Sequence, residues 1–246
     1  MMKMKAFIRK AGFVLLCLFS SVCVVTGAQA GGMGLDRSRL VFNENDTTQT
    51  VTLYNRGDNP YLVQTSLTQW GNETPVTGFA VIPPLFRLEP QGSGALRIIR
   101  TADSGLPHDR ESVFLLRIGT IEGSKNPLAP QKSSATLGIS LGFVLKVFWR
   151  PAGLAMTQGE AYGRLTFHRK NGQVVVSNPT PYYQTFASLS VGGKKVAVDA
   201  PDQEQMVAPS GEVSYPLPAG VKNNSVEWTL IDDFAQASPV QKGTLK

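Results

Sequence analysis

The stretch that decides the fold is ATLGISLGFVLKVFWR, residues 135–150. Its odd-numbered positions, from Ala135 to Trp149, are all apolar, whereas the first even-numbered positions, from Thr136 to Gly142, are small or polar. Because successive side chains of a β-strand point to opposite faces, this alternation predicts a long strand with one hydrophobic row. Val144 and Phe148 add apolar even positions, which predicts burial of the second half of the strand on both faces.

On either side of this strand, short β-rich segments alternate with turn residues. Before it we predict strands at Arg39–Phe42, Gln49–Tyr54, Tyr61–Leu67, Phe79–Ile82, Gly94–Arg100 and Ser112–Ile118. After it we predict strands at Gly163–His168, Gln173–Val176, Gln184–Leu189, Lys195–Val198, Glu212–Tyr215 and Ser225–Ile231.

The spacing of these segments predicts an all-β chain with two immunoglobulin-like β-sandwich domains and a cleft between them. Seven strands over about 115 residues are typical of one such sandwich. Pro151 cannot continue the ladder of a central strand, so it marks the boundary between an N-terminal domain at residues 31–150, which includes the long strand, and a C-terminal domain at residues 151–246. A single large barrel is the alternative.

Residues 1–30 have the pattern of a secretory signal peptide. Four basic residues precede an apolar run, and Ala28-Gln29-Ala30 offers small residues for cleavage after Ala30. The apolar run of roughly 15 residues is short of the ~20 that a membrane-spanning helix needs, which disfavours a retained anchor. Val22 before Cys23 disfavours a lipoprotein. The chain is therefore expected in the periplasm.

Removal of this leader changes the cysteine content and the charge of the chain. Both cysteines, Cys17 and Cys23, lie inside it, so the mature chain can form no internal disulfide. Four of the 24 basic residues and none of the 18 acidic residues are lost, so the net charge falls from +6 to +2. Charge therefore gives little support to nucleic-acid binding, and none is expected.

The long strand is a candidate for pairing with another chain. The segment before it, Gly119–Ser134, is rich in Gly, Pro, Ser and Lys, which suggests a flexible loop and places the start of the strand at a sheet edge. An exposed alternating edge invites strand addition, in which backbone hydrogen bonds bind a partner and alternate side chains fill its pockets. The alternative is that Leu137, Ile139 and Leu141 face the domain's own core.

Several motifs, in order, resemble the PapD-like periplasmic chaperones of the chaperone-usher pilus pathway. They extend over nearly the whole mature chain: LDRSR (35–39), NPYLVQ (59–64), PPLFRLEP (83–90), LPHDRES (106–112), LKVFWRP (145–151), NPTPYY (178–183) and MVAP (206–209). The loop after Gly119 is longer than in the short-loop branch of that family, and the mature chain lacks the cysteine pair of the long-loop branch. We therefore expect the short-loop type with an extended loop.

The resemblance implies a binding site for pilus subunits. Arg39 and Lys146 would hold the C-terminal carboxylate of the subunit, a role that suits a guanidinium and an ammonium as charge-assisted donors. A donor strand would insert into the incomplete sheet of the subunit. Its subunit-binding residues would be Leu137, Ile139, Leu141 and Phe143.

The resemblance also implies a structural ionic network between the domains. Glu111, Arg150 and Asp233 would set the angle between them, with Asp232 as the alternative to Asp233.

The expected partners are therefore pilus or fimbrial subunits and an outer-membrane usher, and self-association of the free protein stays open. No phosphate loop or metal-ligand cluster occurs, so neither a cofactor nor a small-molecule substrate is expected.

The sequence disfavours two other functions. A secreted hydrolase is disfavoured because His108 and His168 fall in different predicted domains and no Gly-x-Ser-x-Gly motif accompanies them. A pilus subunit or adhesin is disfavoured because such proteins typically carry a disulfide and donate an N-terminal extension, whereas here the candidate donor strand lies in the middle of the chain.

Overall fold

The computed structural model describes residues 32–102, 104–123, 140–200 and 204–246. Leu137 and Ile139 lie outside these residues, as do residues 1–31. The described elements are β1 (Met33–Leu35), β2 (Arg39–Asn43), β3 (Thr48–Asn55), β4 (Tyr61–Gln69), β5 (Phe79–Ile82), β6 (Leu85–Leu88), β7 (Ser93–Arg100), β8 (Ser112–Glu122), β9 (Ser140–Arg150), α1 (Gln158–Ala161), β10 (Thr166–Lys170), β11 (Gln173–Ser177), β12 (Gln184–Val191), β13 (Lys194–Lys195), β14 (Met206–Val207), β15 (Glu212–Pro216), β16 (Ser225–Leu230) and β17 (Gln241–Thr244).

The first half of the chain forms a sandwich of two sheets. One sheet has the order β1-β3-β7-β5, and the other has the order β2-β9-β8-β4-β6. All of the pairings are antiparallel except that of β2 with β9. Alternate side chains of both sheets meet in one core, in which Phe79 makes close ring contacts with Phe42, Phe114 and Trp149.

The second half forms a smaller sandwich. One sheet has the order β10-β11-β15, and the other has the order β13-β12-β16-β17 with β14 added beside β12. The β12–β13 hairpin turns through Gly192 and Gly193, both with positive φ, as a two-residue turn between right-twisted strands requires.

Asn178 fixes the loop that leads from β11 into β12. Its buried side-chain amide donates hydrogen bonds to the carbonyls of Tyr182, Val207 and Ala208 at 2.7–3.1 Å, and its oxygen accepts from Thr180. These bonds tie the β11–β12 loop to the segment that contains β14, and they satisfy the polar groups of the buried Asn178 side chain.

The all-β prediction of two sandwiches is confirmed, and most predicted strands have a counterpart within two residues of their bounds. Gly119–Ile121, predicted as loop, continues β8 because it pairs with Leu62–Gln64 of β4. Lys195–Val198 is mostly not a strand, although Val196 and Val198 are buried. The short elements β1, β6, β14, β17 and α1 were not predicted from the sequence.

Candidate functional site

The two halves of β9 differ in the strands that pair with them. On one side β8 pairs with it from Ser140 to Trp149. On the other side β2 runs parallel to it, but only from Lys146, opposite Arg39, to Arg150. In the described ranges, no strand covers that side of Ser140–Leu145. We call this side the open edge, and its backbone donors and acceptors are available for a further strand.

The odd-numbered side chains of β9 form one row that passes from the protein interior to the surface. Leu145, Val147 and Trp149 are fully buried in the N-terminal core, and Phe143 is half-buried against it. Leu141 is 39% exposed. The apolar row is therefore enclosed by the domain's own core at one end and accessible at the other.

The even-numbered side chains of β9 face the second sandwich only in the second half of the strand. Phe148 is buried and packs with Val113 and Val41 from the first sandwich and with Met206 and Tyr183 from the second. Val144 is 55% exposed, so the predicted burial of this face holds for Phe148 and not for Val144. This apolar contact between the sandwiches could not be predicted from the sequence, because Met206 and Tyr183 lie in loops or short strands without periodicity.

Arg39 lies at the start of β2 and bridges to the second sandwich. Its Nη1 donates to the carbonyl oxygens of Ile231 and Asp232 at 2.8 and 2.9 Å, and its Nη2 donates to Thr185 Oγ1 at 3.3 Å. Its guanidinium also lies 5.0 Å from the ring centroid of Phe148. Burial lowers the pKa of Arg39 from its usual value, but a guanidinium remains charged at any physiological pH.

Lys146 is the direct cross-strand partner of Arg39. Its Nζ lies 5.0 Å from the ring centroid of Trp70, within the range of a cation–π contact. Burial lowers the pKa of Lys146, and the positive charge of Arg39 lowers it further.

Within the described residues, neither Arg39 nor Lys146 forms an ion pair with a carboxylate. We call them the cleft pair. Two adjacent, partly desolvated cations that are not ion-paired within the described residues favour the binding of an added carboxylate.

The open edge borders a groove of about 810 Å³. Its walls are the β1–β2 connection, the part of β9 from Phe143 to Leu145, and the turn that contains Asp233 and Phe234; Arg39 also lines it. The groove thus joins the open edge, one member of the cleft pair and a segment of the second sandwich.

Arg150 at the end of β9 is the centre of an ionic network. Its Nε donates to Glu111 Oε1 at 2.8 Å, and its two terminal nitrogens donate to the carboxylate of Asp233 at 2.6 and 2.8 Å. Glu111 is only 3% exposed, and its other oxygen accepts from the backbone N–H of Tyr183 at 2.9 Å. Burial raises the pKa of Glu111, and the charge of Arg150 opposes that rise.

The two neighbouring acids after β16 have different contacts. Asp233 binds Arg150 and also accepts from Gln158 Nε2 at 2.7 Å, a contact that the sequence analysis missed. Asp232 instead stabilises its own turn, since its carboxylate accepts from the backbone N–H groups of Phe234 and Gln236. Asp233 is therefore the one that joins Glu111 and Arg150.

The two histidines lie in different sandwiches. His108 Nδ1 lies 3.2 Å from Glu44 Oε1 in a loop of the first sandwich, whereas His168 lies in β10 of the second. Across the described ranges, no group of three or more His, Cys, Asp or Glu residues is arranged to hold a metal ion.

Two family models match the chain. The "Pili and flagellar-assembly chaperone, PapD N-terminal domain" matches residues 32–155, and the "Pili assembly chaperone PapD, C-terminal domain" matches residues 160–242.

Several known chaperones are similar to this chain in sequence and in structure. The probable fimbrial chaperone protein ElfD of Escherichia coli K12 is 35% identical over 240 residues, which cover 96% of this chain and 97% of that protein. The crystal structure of the Escherichia coli chaperone DraB superposes with a TM-score of 0.74 at 32% identity, covering 87% of this chain and 98% of that one. The SafB chaperone of Salmonella enterica, solved in complex with the SafA pilin, gives 0.74 at 29% identity, covering 87% and 97%.

Proposed function

Because the chain belongs to the PapD family of pilus-assembly chaperones, we propose that it caps fimbrial subunits by lending them the exposed part of β9 and then passes them to an outer-membrane usher. Members of this family act as chaperones, and the comparisons favour this function over that of a fimbrial structural subunit. The observation that carries the proposal is the open edge of β9, which ends at the cleft pair.

The register of β2 suggests how a subunit strand would bind. A guest strand at the open edge would occupy the same row of the sheet as β2, directly before its first residue. If the last residue of the guest meets Arg39 and Lys146, the guest must run in the same direction as β2, which is parallel to β9. Its backbone would pair with Ser140–Leu145, and its terminal carboxylate would form an ion pair with the cleft pair.

The side-chain row supplies the apolar part of the proposed interaction. Leu141 is the described member of the donor residues, Leu137 and Ile139 would extend the row, and Phe143 would connect it to the chaperone's own core. A subunit that lacks one strand would bury these side chains in its open groove, and the carboxylate anchor would fix the register, since a one-residue slip would turn the row to the other face.

The proposed cellular setting is the periplasm, after cleavage of the leader behind Ala30. Binding and release by strand exchange require no nucleotide, and we propose no enzymatic activity. The ionic network of Glu111, Arg150 and Asp233 is proposed to hold the two sandwiches, residues 31–150 and 151–246, at the angle that forms the cleft.

Co-expression with a secreted fimbrial subunit encoded beside this chaperone tests the proposal. We expect the tagged wild type to retain the subunit from periplasmic extracts, and Arg39→Ala and Lys146→Ala to lose most of it. Lys242→Ala, at an exposed position of the second sandwich, is the matched control and should retain it. Wild-type yields with both cleft variants would refute the anchor, and no retention by the wild type would refute the chaperone function.

A further inference from the structure

The turn from Asp232 to Gln236 presents an exposed aromatic side chain beside the groove. Phe234 is 84% exposed, and it lines the groove together with Arg39 and Phe143–Leu145. Single exposed apolar residues are common on protein surfaces, so exposure alone identifies no site. The surroundings of Phe234 provide the further observations.

Hydrogen bonds within the turn hold its backbone in one conformation. Its ends are joined by a hydrogen bond from the N–H of Asp232 to the carbonyl of Gln236 at 2.8 Å, and Ala235 adopts a left-handed φ of 61°. The carboxylate of Asp232 accepts from two backbone N–H groups inside the turn. Phe234 therefore sits at the tip of a rigid turn and loses little backbone entropy when a partner binds.

Residues of the proposed subunit site also hold this turn. Arg39 donates to the carbonyl of Asp232, and Arg150 binds the carboxylate of Asp233. The position of Phe234 relative to the cleft pair is thus fixed by the same side chains that bind the carboxylate and connect the sandwiches.

We propose that Phe234 is a contact of the second sandwich for the C-terminal segment of the bound subunit, where it packs against an apolar or aromatic side chain close to the terminal carboxylate. This inference rests on the proposed function, since charge complementarity with Arg39 and Lys146 brings that terminus to the groove. The open edge and Phe234 then both line the groove that holds this segment. The contact would favour subunits with an apolar residue near the C-terminus over those with a polar one.

Site-specific photo-cross-linking tests this contact in the intact complex. Phe234 is replaced by p-benzoyl-phenylalanine, and the chaperone is co-expressed with a secreted fimbrial subunit encoded beside it. The same replacement of Val240, which is 58% exposed and does not line the groove, is the matched control. After irradiation we expect cross-links from position 234 to the last few residues of the subunit, identified by mass spectrometry, and none to those residues from position 240.

Competition supplies a second measurement that does not depend on the photoreactive group. The tagged complex is mixed with an excess of untagged wild-type chaperone, and the rate at which the subunit leaves the tagged protein is measured. The Phe234→Ser variant should release the subunit about five- to tenfold faster than the tagged wild type, the range expected for loss of one aromatic contact. The Phe234→Leu variant should release it at a rate close to that of the wild type. Cross-links elsewhere on the subunit, or equal release from all three proteins, would refute the Phe234 contact and leave the chaperone function intact. Failure of the wild type to retain a subunit would overturn both.

Discussion

Replacing Arg150 by Met should strongly destabilise the protein, because it removes the cation that two carboxylates share. Glu111 would remain buried without a counter-charge, while Asp233, with 26% of its side chain exposed, could regain some solvation. Breaking a buried ion pair from one side costs about 3–5 kcal/mol, and the partial exposure of Asp233 places our expectation near 3 kcal/mol. With an m-value of about 2–3 kcal/mol per molar, the urea midpoint should fall by about 1 M.

The size of this loss should depend on pH. Burial already raises the pKa of Glu111, and loss of Arg150 removes the charge that opposes this rise. A carboxyl whose pKa is higher in the folded state adds stability below its unfolded pKa and loses that contribution as the pH rises through the folded value. The deficit of Arg150→Met relative to the wild type should therefore be smallest in acid and largest near neutrality.

Urea unfolding followed by tryptophan fluorescence measures both effects. Trp149 and Trp228 are buried in the first and second cores and report on the two sandwiches. Arg87→Met is the control, because Arg87 pairs with Glu89 on an exposed surface and should change the unfolding free energy by less than about 1 kcal/mol. A loss below about 1 kcal/mol for Arg150→Met, or a loss independent of pH, would refute this account of the network.

Three further predictions concern single side chains. Asn178→Ala should lower the unfolding free energy by about 2–4 kcal/mol, since it removes several buried hydrogen bonds, to the carbonyls of Tyr182 and Val207 and from the N–H of Thr180; an unchanged urea midpoint would contradict this. Leu141→Ala should alter stability by less than about 1 kcal/mol but reduce subunit retention in the pull-down, because this side chain is partly exposed; strong destabilisation with full retention would reverse its assignment. Subunit retention should weaken as the pH rises through the lowered pKa of Lys146, whereas Lys146→Arg should remove that pH dependence, and identical pH profiles would argue against a charged Lys146 in the anchor.

Strand alternation and turn residues were sufficient to predict the architecture, because they depend on local sequence. The alternating row in residues 135–150 identified β9, whereas the domain boundary at Pro151 stays a prediction. The short elements β1 and β6 were missed because a few residues cannot display a period; what defines them is pairing with β3 and β4.

Contacts between distant segments could not be obtained from local patterns. The family resemblance suggested that Arg150 pairs with Asp233, with Asp232 as the alternative, but only the fold distinguishes Asp233, which reaches Arg150, from Asp232, which stabilises its own turn. The stacking of Trp70 on Lys146 and the bond from Gln158 to Asp233 join residues 75 or more positions apart, and no periodicity relates such pairs.

The hydrophobic row of β9 crosses from interior to surface without a polar interruption between Leu145 and Leu141. A guest seated there would share one continuous apolar layer with its host, so the two proteins would have a single joint interior for as long as they stay together. Departure of the guest would uncover part of that layer to water, and a direct handover from one strand to the next would avoid this exposure.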